Sequence, residues 1–171
     1  MRRLPLPTLL LAAPLLLAGA GCSSGIGIET DPTLFVTATA ENPTVNVVNE
    51  ALGTSVTGGF TLSLHLGARA SGSSDVNIQG FQITTKDKTT IVVDAVPLEA
   101  PDTKLPITID PGADEDVKLQ INLGSDLLAK EVGQKLCNFS EMIYTGSLTD
   151  SLRGGTLPLD SDLVTVSGCA P

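Results

Sequence analysis

The sequence predicts an all-β fold: an antiparallel sandwich of seven to eight strands with one short helix near residues 126–136. Two observations lead to it. From residue 34 onward, apolar and polar residues mostly alternate, as in strands with one buried face, and turn residues recur about every dozen residues. A chain of 171 residues is also long enough to bury one sizeable core.

The first strands are read from this alternation. Residues 34–40 predict a strand, and Asn42-Pro43 breaks the alternation after it. Residues 60–66 predict a half-buried strand. Val76 and Ile78 then share one parity. The next apolar pair has the opposite parity, and the change of phase at Gly80 indicates a β-bulge.

The middle of the chain alternates turns and strands. Residues 86–88 predict a turn before a strand at 91–93. Residues 105–109 predict a short strand, and Pro106 assigns it to a sheet edge because proline donates no ladder hydrogen bond. Residues 117–123 give the cleanest alternation and follow a Pro-Gly turn.

One segment has helical spacing. Leu128, Val132 and Leu136 fall at i, i+4 and i+8. Ser125 is placed to cap this helix, and Asp126 suits the positive end of its dipole. The sequence therefore predicts a helix over residues 126–136, followed by two final strands.

The layout is similar to that of immunoglobulin-like domains of bacterial surface proteins, over residues 33–168. The features that carry the resemblance are the helix before the penultimate strand and the Pro-Gly turn that leads into a cleanly alternating strand. The resemblance implies an immunoglobulin-like β-sandwich. A closed barrel is the alternative fold.

The N-terminus predicts export. Arg2-Arg3 is a basic start, residues 9–18 are an apolar run interrupted by Pro14, and small residues fill 18–21. This order is typical of a cleavable signal, and the run is short for a membrane span. We therefore assign residues 1–21 to a signal peptide.

Gly19-Ala20-Gly21-Cys22 resembles the lipobox of bacterial lipoproteins. In that family the cysteine receives fatty acyl chains, such as palmitate, and becomes the mature N-terminus. The resemblance implies lipidation at Cys22, a tether over residues 22–32 and a β-sandwich domain over 33–171. An ordinary signal peptide with a chance cysteine is the alternative.

The implied anchor sets the location. Ser23 and Ser24 follow the cysteine without an aspartate, which resembles sorting to the outer membrane. Ten tether residues reach at most about 35 Å, so the domain would stay close to the membrane. The sequence thus predicts a lipid-anchored protein of the cell envelope.

The two remaining cysteines, Cys137 and Cys169, predict a disulfide in an oxidising compartment. Their midpoint lies in the turn 153–155, so two antiparallel strands folded about it, 142–149 and 157–166, would place them opposite each other. The disulfide is thus predicted to staple the last hairpin. Two separate buried thiols are the alternative.

The amino-acid composition argues against several classes of binding partner. The formal net charge is −9, which argues against nucleic acid and against electrostatic binding to anionic lipid. Aromatic residues make up 3% and there is no Trp, which removes most stacking platforms for bases or sugars. The membrane, through acyl chains, and another envelope protein are the expected partners.

The sequence offers only weak candidates for metal-ligating or catalytic residues. Asp110, Asp114 and Asp116 are weak candidates for calcium ligands, but their spacing does not match an EF-hand, so we assign no metal. His65 is the single histidine and is expected to be exposed on a polar strand face, whereas the single tyrosine, Tyr144, is expected in the core. No nucleophile elbow or phosphate loop is present, and no cofactor is expected.

The sequence therefore predicts a non-catalytic, lipid-anchored envelope module with a structural or protein-interaction role. A lipoprotein that binds a small apolar ligand is the alternative. An enzyme would have to rest on the paired carboxylates Asp160 and Asp162, which could do acid–base work only in a pocket that perturbs them.

Overall fold

The computed structural model describes residues 34–169, which belong to the compact unit Asp31–Pro171. This part of the chain contains eleven strands and one helix, α1 (Lys130–Asn138). The strands are β1 (Thr37–Asn49), β2 (Thr54–His65), β3 (Ser74–Ile78), β4 (Phe81–Thr85), β5 (Ile91–Val96), β6 (Leu98–Glu99), β7 (Ile107–Ile109), β8 (Asp114–Ile121), β9 (Met142–Asp150), β10 (Gly155–Asp160) and β11 (Thr165–Ser167).

The strands form two sheets, as the sequence predicts for a sandwich. The first sheet has the order β11-β1-β2-β8-β6, and the second has the order β5-β4-β9-β3-β7, with β10 paired to β9. Apolar side chains from both sheets form one buried core. The fold is mostly β and sandwich-like, with one short helix between β8 and β9.

Eleven strands replace the seven or eight predicted, because three runs of chain are each divided in two. β3 and β4 are divided by a bulge. β5 and β6 are divided at Pro97, where the chain passes from the second sheet to the first. β10 and β11 are divided near Ser161, which bridges Ala40 of β1. After this crossing β11 runs parallel to β1, so the predicted purely antiparallel arrangement is wrong at that pair.

The bulge predicted at Gly80 is confirmed. β3 pairs with one half of β9 and β4 with the other half, while Gln79 and Gly80 lie between them. Val76, Phe81 and Ile83 are all buried despite their opposite parities. The extra length of chain restores the inward direction of the apolar side chains.

An aromatic cluster links the two sheets. The ring of Phe60 in the first sheet lies 5.4 Å from Phe81 and 5.1 Å from Tyr144, both in the second. The hydroxyl of Tyr144 donates a 2.9 Å hydrogen bond to the carbonyl of Thr44 in β1. Burial raises the pKa of Tyr144 above its ordinary value of 10, so the group stays a neutral donor. The predicted core role of Tyr144 is confirmed.

The helix begins later than predicted. The N–H and C=O of Leu128 both pair with Thr54, at 2.9 and 2.8 Å, so residue 128 belongs to a β-bridge. The helix then starts at Lys130, and neither Ser125 nor Asp126 belongs to it. A pairing far away in sequence has overridden the local capping signal.

The helix packs close to the β1–β2 hairpin through a glycine. A Cβ atom on Gly133 would lie 3.0 Å from the Cβ of Thr54 and 2.7 Å from its Cγ2. Leu136, one turn later, is fully buried, and Val132 packs partly against the core. The helix therefore covers the end of the sandwich at which β1 ends and β2 begins.

The edge position predicted for residues 105–109 is also confirmed. β7 is the last strand of the second sheet on its side, and Pro106 immediately precedes it. Proline at this position removes no hydrogen bond from the ladder.

Candidate functional site

The predicted export signal, the lipidation site Cys22 and the tether 22–32 lie outside the described residues. Within residues 34–169, no helix is long and apolar enough to cross a membrane.

The predicted disulfide between Cys137 and Cys169 is present, with Cα atoms 5.6 Å apart. It does not staple the last hairpin, however, so that part of the prediction is wrong. Cys137 lies in the last turn of α1, and Cys169 follows β11. Because the chain changes sheets after β10, the bond ties the helix to the end of the chain beside β1.

The three acidic residues that are weak candidates for calcium ligands each have a separate hydrogen-bond or ion-pair partner. Asp110 accepts a hydrogen bond from Ser73 at 2.6 Å, and Asp116 accepts one from Ser63 at 2.6 Å. An oxygen of Asp114 lies 2.7 Å from Nδ1 of His65. Among the described residues, no group of three or more His, Cys, Asp or Glu side chains could hold a metal ion.

His65 lies on the outer face of the first sheet, as predicted, but it is only half-exposed. Its side chain retains 38% of its surface and pairs with Asp114 across the β2–β8 ladder. The sequence does not predict this pairing, because it depends on the register between two strands that are distant in sequence. The contact between His65 and Asp114 joins β2 to β8 on the outer, polar face of the first sheet.

Asp160 and Asp162 line a shallow polar depression of about 330 Å³. Asp160 accepts hydrogen bonds from Lys88 at 2.6 Å and Thr145 at 2.8 Å. Partial burial raises its pKa, but these bonds and the charge of Lys88 bring the pKa below 3.8. A carboxylate held ionised in this way is a poor proton donor near neutral pH.

A buried carboxylate that the sequence did not reveal secures the start of the domain. Asp150, at the end of β9, accepts hydrogen bonds from Ser74 Oγ at 2.5 Å and from the N–H groups of Val36 and Leu152 at 3.0 Å. Nε of Arg153 lies 3.8 Å away. Burial raises the pKa of Asp150, yet these bonds outweigh it and hold the pKa below 3.8. Asp150 therefore joins the chain before β1 to β3 and the β9–β10 turn.

The clearest candidate for a binding site is a groove between the edge strand β5 and helix α1, with a volume of about 570 Å³. We call it the β5 groove. Most of the residues that line it are apolar, and one of them, Ile91, is 48% exposed. It is lined by Ile91, Val92, Val93, Asp94, Ala95, Leu128, Val132 and Lys135.

Within residues 34–169, no strand pairs with the outer edge of β5. The strand ends the second sheet and pairs with β4. Within residues 34–169, its backbone makes no further hydrogen bond. Asp94 on the strand and Lys135 on the helix have no ion-pair partner in the same part of the chain. The groove thus offers unpaired backbone groups, apolar walls and one charge of each sign.

The interior near this groove is filled. The apolar cavity between the sheets beneath it holds about 10 Å³, roughly the space of one water molecule, and is lined by Val56, Ile83, Val93, Ala95, Val96, Pro97, Ile121, Leu123 and Leu128. Sites for small ligands are ordinarily at least about 300 Å³. An enclosed apolar ligand would not fit there without opening the core.

No family model, curated protein or solved structure matches the chain.

Proposed function

We propose that this chain is a lipid-anchored protein of the cell envelope, sorted to the outer membrane, which acts as a non-catalytic structural or protein-interaction module through an immunoglobulin-like sandwich. The observation that carries the proposal is the β5 groove. An exposed edge strand can accept another strand through its free N–H and C=O groups, while neighbouring pockets select the side chains. The filled interior beneath it favours this role over the binding of a small apolar ligand.

The position of the groove suits an anchored module. The tether would join the domain just before β1, which begins at Thr37 opposite His65. Helix α1 lies at the other end of β1, where Asn49 pairs with Thr54. Thirteen residues of β1 separate the two ends by about 40 Å. The groove would therefore face away from the membrane and toward other envelope proteins.

Replacing Cys22 by serine tests the anchor. We expect Cys22→Ser to release the protein from membranes or to leave the signal uncleaved, because no thiol remains to carry acyl chains. The measurement is membrane fractionation combined with the mass of the mature chain. Ser23→Ala is the control and should stay membrane-bound. Retention of the Cys22→Ser protein with lipidation unchanged would refute the anchor.

Site-specific cross-linking tests the interaction role. A photoreactive side chain at Ala95, which is exposed on β5, should form adducts with a protein in intact envelopes. The same group at Lys118, exposed on β8 in the other sheet, is the matched control and should form far fewer. Equal adducts at both positions, or none at Ala95, would count against the groove as the binding surface.

A further inference from the structure

We propose that the β5 groove binds a second copy of this chain. The two β5 strands would pair antiparallel about a two-fold axis, so that the second sheet of one copy continues into the second sheet of the other. This inference rests on the interaction role proposed for the groove and names its partner. It is carried by the open edge of β5 together with the charges on the walls of the groove.

The edge of β5 could accept a second strand, although its pairing with β4 shifts register between Phe81 and Ile83 and again between Ile83 and Thr84. Antiparallel pairing about a two-fold axis gives each strand the same set of new backbone hydrogen bonds, so a self-complementary contact needs no other sequence. The strand carries no proline or glycine over Ile91–Val96. Valine and isoleucine favour the extended conformation, and the buried side chains of Val92 and Val93 already pack on the core.

The charges select a second copy over a foreign strand. Asp94 lies on the strand wall of the groove and Lys135 on the helix wall, and neither has an ion-pair partner among residues 34–169. We place the two-fold axis between the two paired β5 strands, so that the strand wall of one copy meets the helix wall of the other. In this arrangement each Asp94 faces the partner's Lys135, so the dimer contains two such ion pairs. A foreign strand would have to supply both complementary charges itself.

The contact is expected to be weak in solution. Six residues of strand with part of one helix give less area than the roughly 1,000 Å² of a stable interface. Anchoring at Cys22 would confine the copies to one surface and raise their effective concentration. Pairing is therefore expected to depend strongly on concentration.

Charge exchange gives the sharpest test. The full chain carrying Cys22→Ser, which removes the proposed lipidation site, is studied by sedimentation equilibrium from low-micromolar to near-millimolar concentration. We expect a monomer–dimer equilibrium. Asp94→Lys alone and Lys135→Asp alone should each weaken it by about tenfold or more, because every substitution occurs twice in the dimer. The double exchange should return the dissociation constant to within about threefold of the parent.

Matched controls use exposed charges of the other sheet. Glu115→Lys and Lys118→Asp lie on β8 and should leave the dissociation constant unchanged. Circular dichroism and the intact disulfide establish that each variant is folded. A parent chain that stays monomeric throughout, or a double exchange that does not restore pairing, overturns the proposal.

The failure of this inference is distinguishable from failure of the proposed function. A monomeric chain whose Ala95 cross-links to a different envelope protein keeps the interaction role and overturns self-pairing. A chain that pairs as expected but is found without acyl chains keeps self-pairing and overturns the anchor.

Discussion

Replacing Asp150 by alanine should lower the free energy of unfolding by about 3–5 kcal/mol. The side chain of Asp150 is fully buried and accepts hydrogen bonds from Val36 and Ser74, which are distant in sequence, and from the nearby Leu152. Its removal leaves the N–H of Val36 and the hydroxyl of Ser74 without this partner in a buried place. Urea unfolding with the disulfide intact measures the change.

Asp160→Ala is the matched control. Asp160 also pairs with a basic side chain, Lys88, but its side chain is 46% exposed. Water screens such a pair, so its loss should cost no more than about 1 kcal/mol. Equal losses for the two variants would show that the Asp150 contacts do not stabilise the domain as the geometry indicates.

Acid should act through the same residue. The pKa of Asp150 is held below 3.8 in the folded state, whereas the unfolded chain restores the ordinary value. The stabilisation is therefore fully present above about pH 3.8 and is lost as the pH falls through the lowered pKa. Thermal unfolding of the wild type should lose stability more steeply in that window than unfolding of Asp150→Asn.

Replacing Cys137 by alanine should lower the free energy of unfolding by about 4 kcal/mol under oxidising conditions. The disulfide closes a loop with a sequence separation of 32, and the chain-entropy model gives a stabilisation of this size. The bond also fixes the end of β11, a strand of three residues that pairs with β1. The melting temperature should fall accordingly, as measured by circular dichroism.

Reductant separates the bond from the side chain. It should lower the melting temperature of the wild type toward that of Cys137→Ala and barely affect the variant. Both proteins are compared in the Cys22→Ser background, so that no third thiol can exchange. If reductant shifts the two proteins equally, the stabilisation does not come from this bond.

The sequence predicted those features whose cause is local. The change of parity at Gly80 is visible in four neighbouring apolar residues, and the bulge follows from it. Pro106 excludes a central strand by its own chemistry. The disulfide between Cys137 and Cys169 follows because these are the two cysteines that remain once Cys22 is assigned to lipidation.

Features that depend on pairing across the fold could not be predicted. Leu128 fits a helix by its spacing, but its backbone pairs with Thr54, 74 residues earlier by their numbers. The prediction that the disulfide joins the two strands of the last hairpin was wrong. It assumed that both strands, folded about residue 153, stay in one sheet. Ser161 instead carries it across to β1.

The site itself was also invisible in the sequence. Residues 91–96 are an ordinary apolar strand in the sequence, and nothing local shows that one side of the strand is open. Asp94 and Lys135 come together in one groove because α1 packs over the end of the sandwich. The sequence predicts an interaction module only as a general role, and proposing a surface for that role required the topology.

The anchor is the premise on which localisation and the orientation of the groove depend, and mass spectrometry of the mature N-terminus tests it most directly. Protein purified from membranes should begin at Cys22 and carry the added mass of fatty acyl chains on that residue. A mature chain that begins elsewhere, or a Cys22 without acyl groups, would contradict a lipid-anchored envelope module.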